Sequence, residues 1–214
     1  MNINWENLSI GKYLEIKDIT NLQTIDEDEK NLRIAAALNN ISYDDIINMR
    51  LDEAGKLLLG IDFINHPIPK IRSKRKYVIN GNVYELFREV DEMSVAQFIN
   101  FSYLENDFDN HIIDMLSIFL IPEGHQYNDG YDMEQVKNDI SDLSVVEGIS
   151  IANFFIKRFK RLNYLLTVYL QVEILKIRIR IKLMKKNQDK ELLQAMLIQL
   201  QLMMKAIEEQ QELI

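Results

Sequence analysis

The stretch "ILKIRIRIKLM", residues 174–184, decides the fold. Its isoleucines and leucines alternate with Lys and Arg, which is the period of a half-buried strand. Its surroundings point the other way. No glycine follows Gly148 and no proline follows Pro122, so nothing punctuates the chain. Ser144 and Glu147 stand at capping-box spacing. Context therefore selects a helix from Val145 to about Lys186, roughly 60 Å long at about 1.5 Å per residue. "NQD" (residues 187–189) breaks it, and Asp189 caps a last helix from Lys190 to about Leu213. Along that helix Leu193, Met196, Leu200, Met203 and Ile207 are spaced as the seam of a coiled coil. Two such helices joined by a short turn form a helical hairpin. Leu192, Leu197, Ile198, Leu202 and Met204 lie off the seam. A helix apolar around most of its circumference demands burial. The hairpin is expected to pack on other copies or on another protein; an intramolecular bundle is the alternative.

Upstream, "KRKYVINGNVYELFREV" (residues 74–90) carries Asn80-Gly81 between two apolar and aromatic runs, the strongest short hairpin signal. A type I′ turn there pairs Ile79 with Asn82, Val78 with Val83, Tyr77 with Tyr84 and Lys76 with Glu85. Each such cross-strand pair contributes roughly 0.2–1 kcal/mol. A two-stranded hairpin is marginal alone, so it must lie on helices or recruit another strand.

The first 66 residues read as four short helices. "TIDEDEKNLRIAAALNN" opens on acids, which suit a helix N-terminus, and closes on Asn39-Asn40. Ser42 and Asp45 form a near capping box. "LDEAGKLLLGIDFIN" reads as one helix, ending before the extended link set by Pro67 and Pro69. Beyond the hairpin, Ser94 caps a helix with Gln97 at its third position, and Met93 and Phe98 are placed for a hydrophobic staple. A helix from about Asp109 stops at Leu120, before Pro122, and Asp132 caps another. The expected fold is mainly α: a helical body over 1–143 with one β-hairpin (about 76–87), and a long helical hairpin over 144–214.

The chain has 214 residues, is 47% hydrophobic and can bury a sizeable core. It has no cysteine, hence no disulfide framework and no Cys-containing metal site. Its N-terminus lacks a basic start followed by an apolar run, so no signal peptide is expected. Leu162–Leu175 is too short and too polar for a membrane span. Net charge is −8, but it is segregated. Residues 85–150 hold 15 Asp and Glu against 2 Lys and Arg; residues 151–190 hold 11 Lys and Arg against 2 acids. Five more cations lie between Lys70 and Lys76. Either a basic surface serves nucleic acid or an acidic partner, or the acidic and basic parts face each other within or between subunits.

Motifs for chemistry are missing. His66, His111 and His125 have no metal-type spacing, and no phosphate-binding or nucleophile-elbow motif occurs. "YNDGYD" (residues 127–132) lacks the alternating acids of a calcium loop. Asp44-Asp45 suits a helix start rather than an acid–base pair. No enzyme activity, metal or cofactor is expected. The candidate partner-binding residues are Leu193, Met196, Leu200, Met203 and Ile207 on the last helix, with Lys157, Arg158, Lys160 and Arg161 in "KRFKRLNY". On a helix those four cations cover a broad face, more suited to water or to acidic groups than to phosphate.

Several phrases taken together carry a resemblance. "IGKYLEIKDI", "ISYDDIINMRLDEAGKLLLGIDFIN", "YVINGNVYEL", "MSVAQFINFSYL", "LSIFLIPEG" with "YNDGYD", and "LSVVEGISIANFFIK" resemble a family of small tail and virion assembly proteins of tailed phages of Bacteroidetes hosts, the crAss-like phages among them. The resemblance covers roughly residues 8–160. It implies a non-enzymatic, multi-copy virion component near the portal and tail, present in the virion and, during assembly, in the host cytoplasm. Its partners would be other phage structural proteins or further copies of itself, with no membrane. The C-terminal segment, about 161–214, departs from the pattern. That favours an oligomerising or embedded subunit over a tail-assembly chaperone absent from the mature virion. A nucleic-acid-binding protein using residues 157–186 is a further alternative.

Overall fold

The structure, a computed structural model, describes residues 3–87, 93–104, 107–108, 110–183 and 187–212. Among these residues lie nine α-helices and one three-stranded antiparallel sheet, so the fold is mainly α with one hairpin. The chain divides into two compact units, Met1–Phe154 and Phe155–Ile214.

In the first unit, α1 (Ile10–Asn21), α2 (Glu27–Leu38), α3 (Tyr43–Ile47) and α4 (Leu51–Leu59) are the four short helices expected. Their starts are chemically marked. Asp26 caps α2 through the Glu29 amide, with Glu27, Asp28 and Glu29 in its first turn. Ser42 and Asp45 close a reciprocal capping box at α3. Asn40 leaves α2 with φ 52°, a left-handed turn that asparagine tolerates. The helices close over Trp5, Leu8, Ile16, Ile34, Ala35, Leu38 and Ile46. "LDEAGKLLLGIDFIN" departs from the one-helix expectation: α4 stops at Leu59, Gly60 caps it, and a 3-10 turn occupies Asp62–Asn65. The indole of Trp5 donates to the His66 carbonyl (2.9 Å), which anchors that turn.

Strands β1 (Lys76–Ile79) and β2 (Asn82–Leu86) pair in the expected register, from Lys76 opposite Glu85 to Ile79 opposite Asn82. Asn80 (φ 52°) and Gly81 (φ 83°) supply the two positive φ values a type I′ turn needs. The sheet has a third strand that the sequence reading did not assign: it ended the helix at Leu120, where the strand begins. Helix α5 (Val95–Leu104) is followed by α6 (Ile112–Phe119), and the chain then passes directly into β3 (Leu120–Pro122), antiparallel to β2. An isolated two-stranded ribbon leaves its backbone groups open, and β3 satisfies one edge. Pro122 stands opposite Tyr84, and the next amide, that of Glu123, donates to the Val83 carbonyl (2.9 Å), so the bonding to β2 continues past the proline. The Ser94–Gln97 cap is present, and the Gln97 amide also donates to the Ile118 carbonyl in the interior.

Helix α7 (Met133–Asp142), capped by Asp132, precedes α8 (Val145–Leu183), and α9 (Asn187–Glu212) completes the chain. The alternating stretch is therefore helical as far as Leu183. Asn187, Gln188 and Asp189, expected to break the helix, belong to α9; residues 184–186 between α8 and α9 lie outside the described residues, as does the expected end at Leu213. The boundary between units falls inside α8 rather than at residue 143. The reason is packing: Val145, Val146, Ile151 and Ala152 are all buried. Gly148 lets the first turns of α8 approach closely, because a Cβ there would stand 2.4 Å from Ile10 Cδ1 and 3.2 Å from Leu116 Cδ1. The expected capping box at α8 is used otherwise. The Ser144 hydroxyl donates to the Glu6 carbonyl, and Glu147 pairs with Lys74 at 2.6 Å.

Candidate protein interaction surface

The second unit shows what alternation does on a helix. Side chains advance by about 100° per residue, so a period of two lays apolar groups on opposite sides. Leu170, Ile174 and Ile177 form one buried stripe on α8, with Ile181 half-buried beyond them. Val168, Val172, Leu175 and Ile179 form a second stripe, roughly half a turn away, and all four are exposed. Leu165 and Tyr169 widen this outer arc, also exposed. Arg178 flanks it on one side, Lys176 and Arg180 on the other, all in contact with solvent. Lys176 pairs with Glu173 at 2.6 Å.

Among the residues of α9 whose burial is described, the half-buried apolar ones are Leu193, Leu197, Leu200, Met204 and Ile207, with Gln201 beside them. Their spacing matches the buried stripe of α8, the pattern on which two antiparallel helices close. This stripe runs beside the expected seam. Met196 and Met203 are 46% and 53% exposed and lie beside the stripe. Two seams one position apart share Leu193, Leu200 and Ile207, and sequence spacing alone does not choose between them. Of the five candidate residues of the last helix, Leu193, Leu200 and Ile207 are half-buried and Met196 and Met203 are exposed.

The four candidate cations lie on the first turns of this unit. Lys157, Lys160 and Arg161 are exposed and Arg158 is half-buried. Phe155 and Phe159 are buried and point away from the cations. By helical phase, Lys157, Arg158 and Arg161 share the side that bears the exposed apolar arc further along. One face of α8 is therefore first basic and then apolar.

The body has one buried ionisable cluster, which the sequence reading missed. Asp139 is 1% exposed. It accepts from the Tyr84 hydroxyl (2.5 Å), Asn82 (2.7 Å), Gln135 (2.9 Å) and Asn80 (3.1 Å). Burial alone would raise its pKa, but the bonds from Tyr84, Asn82, Asn80 and Gln135 outweigh burial and hold the carboxyl below the usual range. Burial and the Asp139 charge push the Tyr84 phenol above its ordinary value. Four donors fill the lone-pair positions of this carboxylate. It is occupied as a clamp between the turn of the β-hairpin and α7, and it has no room to act as a base. No local signal marks Asp139 among the other acids of its stretch.

The histidines each stand beside carboxylates of their own neighbourhood: His66 near Asp62 (3.6 Å), His111 near Asp107 and Asp114 (both 3.5 Å), His125 near Asp129 (3.9 Å). Among the described residues no group of three or more His, Asp or Glu is arranged to hold a metal ion, and no helix is long and apolar enough to cross a membrane. No family model, curated protein or solved structure matches this chain.

Proposed function

We propose that this protein is a structural assembly subunit that works without catalysis, building a multi-copy complex through its C-terminal helical hairpin. The observation that carries the reading is the outer arc of α8. Leu165, Val168, Val172, Leu175 and Ile179 present a continuous apolar face opposite the face that closes the hairpin. A face of this kind on an otherwise closed hairpin marks a surface meant for another protein. The resemblance to tail and virion assembly proteins of tailed phages gives the assembly a setting: a virion component near the portal and tail, surrounded by other structural proteins or by its own copies.

A second reading has its own support. Met196 and Met203 are exposed on the flank of α9, and unbranched thioether side chains adapt to varied apolar clients. That suits a tail-assembly chaperone that leaves before the virion matures.

Sedimentation velocity of the full chain across a concentration series tests the proposal. Reversible growth beyond the monomer, lost when Val172→Glu and Leu175→Glu are introduced together, is the expected result. A wild-type chain that stays monomeric at about 100 μM, where contacts of about 5–6 kcal/mol would already associate, overturns self-assembly.

A further inference from the structure

We infer that the acceptor for the outer arc of α8 is a groove between α2 and α4 on a second copy of the chain, so that copies join head to tail. This rests on the self-assembly reading above and names its missing half. The groove is a cavity of about 640 Å³ floored by Leu32, Ala54, Leu58 and Ile64. Its lips are Leu51 and Leu59, which are 90% and 80% exposed. Between them, at one helical turn from each, stands Gly55.

Gly55 is the telling residue. It sits in the interior of α4, where glycine is among the least favourable residues for a helix. It has no positive φ to require it. A Cβ at this position would meet nothing within 4 Å. The chain's own packing therefore gives no reason for a bare backbone there. Its bare face lines the groove, and small residues on a helix are what allow a second helix to approach closely. Two leucines flanking a notch make a hole for the apolar knobs of another helix.

Charge selects the occupant. Asp28 and Asp62 line the groove with Asn31 and Asn65, and none of the lining residues is cationic. On these segments Lys30 pairs with Glu27 (2.8 Å), Arg33 with Glu29 (2.6 Å) and Arg50 with Asp52 (3.2 Å), and Lys56 of α4 lines a different cavity. An acidic-rimmed apolar groove calls for an apolar helix flanked by cations. The outer arc of α8 has that composition, with Arg178 on one side and Lys176 and Arg180 on the other. Every copy carries both halves, so a contact made in one direction is heterologous and generates rings or filaments, whereas reciprocal insertion closes a two-fold pair.

The test uses full-length chains and a plug. Gly55→Leu fills the notch with a good helix former and leaves α8 untouched. Leu175→Glu with Ile179→Glu spoils the arc and leaves the groove untouched. Circular dichroism and thermal melts first establish that both variants fold, with Gly55→Leu melting no lower than wild type. By sedimentation velocity each variant alone is expected to be a monomer. Mixed in equal amounts they are expected to form a 1:1 dimer that does not grow, because each supplies the half the other lacks. Wild-type assembly that survives Gly55→Leu overturns the groove while leaving self-assembly intact. Two monomeric variants that fail to pair overturn the head-to-tail contact. A monomeric wild type overturns both readings. If Gly55→Leu misfolds, Asp28→Lys with Asp62→Lys replaces it. Assembly must then fall, and must return when mixed with Arg178→Glu and Arg180→Glu; no return overturns the charge pairing.

Discussion

Leu116 and Leu175 each lie within an α-helix, and they live in different worlds. Leu116, in α6, is fully buried; Leu175, in α8, is 57% exposed. The difference runs through the two units. In the body, apolar side chains meet one another, and the buried polar residues described there, Asp139, Gln97 and Ser117, have partners within the same unit. In the hairpin, one apolar stripe of α8 is buried and a second of similar length remains outside. A closed body has spent its apolar surface on its own folding. A helix with two opposite apolar faces has one left to offer. Function is read from that remainder.

The comparison breaks most visibly in the body. Phe119 is fully buried, edge-to-face with Phe101 at 5.1 Å between ring centres. Phe119→Ala is expected to destabilise the fold by about 3–5 kcal/mol, read as a lowered urea midpoint with lost near-ultraviolet circular dichroism. A midpoint unchanged by this substitution would mean that α5 and α6 do not form the core described. Asp139→Ala comes next. It strands the hydroxyl of Tyr84 and the amides of Asn80, Asn82 and Gln135, for a loss of about 3 kcal/mol. Gly148→Ala follows at about 1–2 kcal/mol. The new methyl overpacks against buried Ile10, and the gain in helix propensity offsets only part of that.

Acid sharpens the same contrast. The Asp139 carboxyl is held below the usual range, so its ionised form favours folding. Its contribution is complete above about pH 4, the ordinary carboxylate value, and drains away as pH falls through the lowered native value. Asp114 behaves alike: burial would raise its pKa, but Lys137 at 2.8 Å and His111 lower it. Urea midpoints are therefore expected to decline below pH 4 in wild type. Asp139→Asn should flatten that decline, since it removes one of the carboxyls held below the usual range. An identical acid slope in the variant would show that the cluster does not titrate as described.

How much of this was legible in the sequence depends on how local the signal is. Asn80-Gly81 fixed turn type and register because both are decided within ten residues. Caps at Ser42, Ser94 and Asp132 were legible for the same reason. Strand β3 was not: Leu120 and Ile121 continue the apolar run of α6, where periodicity does not separate buried helix from buried strand. Only the open edge of β2, about 35 residues upstream, decides it. On α9 the spacing alone admits two stripes one position apart, and the exposure of Met196 and Met203 beside half-buried Leu197 and Met204 is not written in it. The Asp139 clamp joins residues more than fifty positions apart, a pairing no spacing rule anticipates. Gly55 was readable as a glycine in a helix, yet its emptiness became visible only in three dimensions.

The smallest expected effect on the single chain is the one that matters most for the comparison. Leu175→Gln exchanges an exposed leucine for a polar residue of similar helix propensity, so monomer stability should move by no more than about 0.5 kcal/mol. Association should nonetheless weaken measurably in sedimentation, because the lost apolar area lies on the outer arc and nowhere else. The same exchange at Leu116 would unfold the body. If Leu175→Gln instead lowers the urea midpoint as a core substitution does, the outer arc is packed within its own chain, and the distinction between a closed body and an open hairpin falls. If stability holds while association drops, the exposed stripe is a surface whose partner lies outside the chain, and the alternation of residues 174–184 is the sequence device that made one helix serve two interfaces.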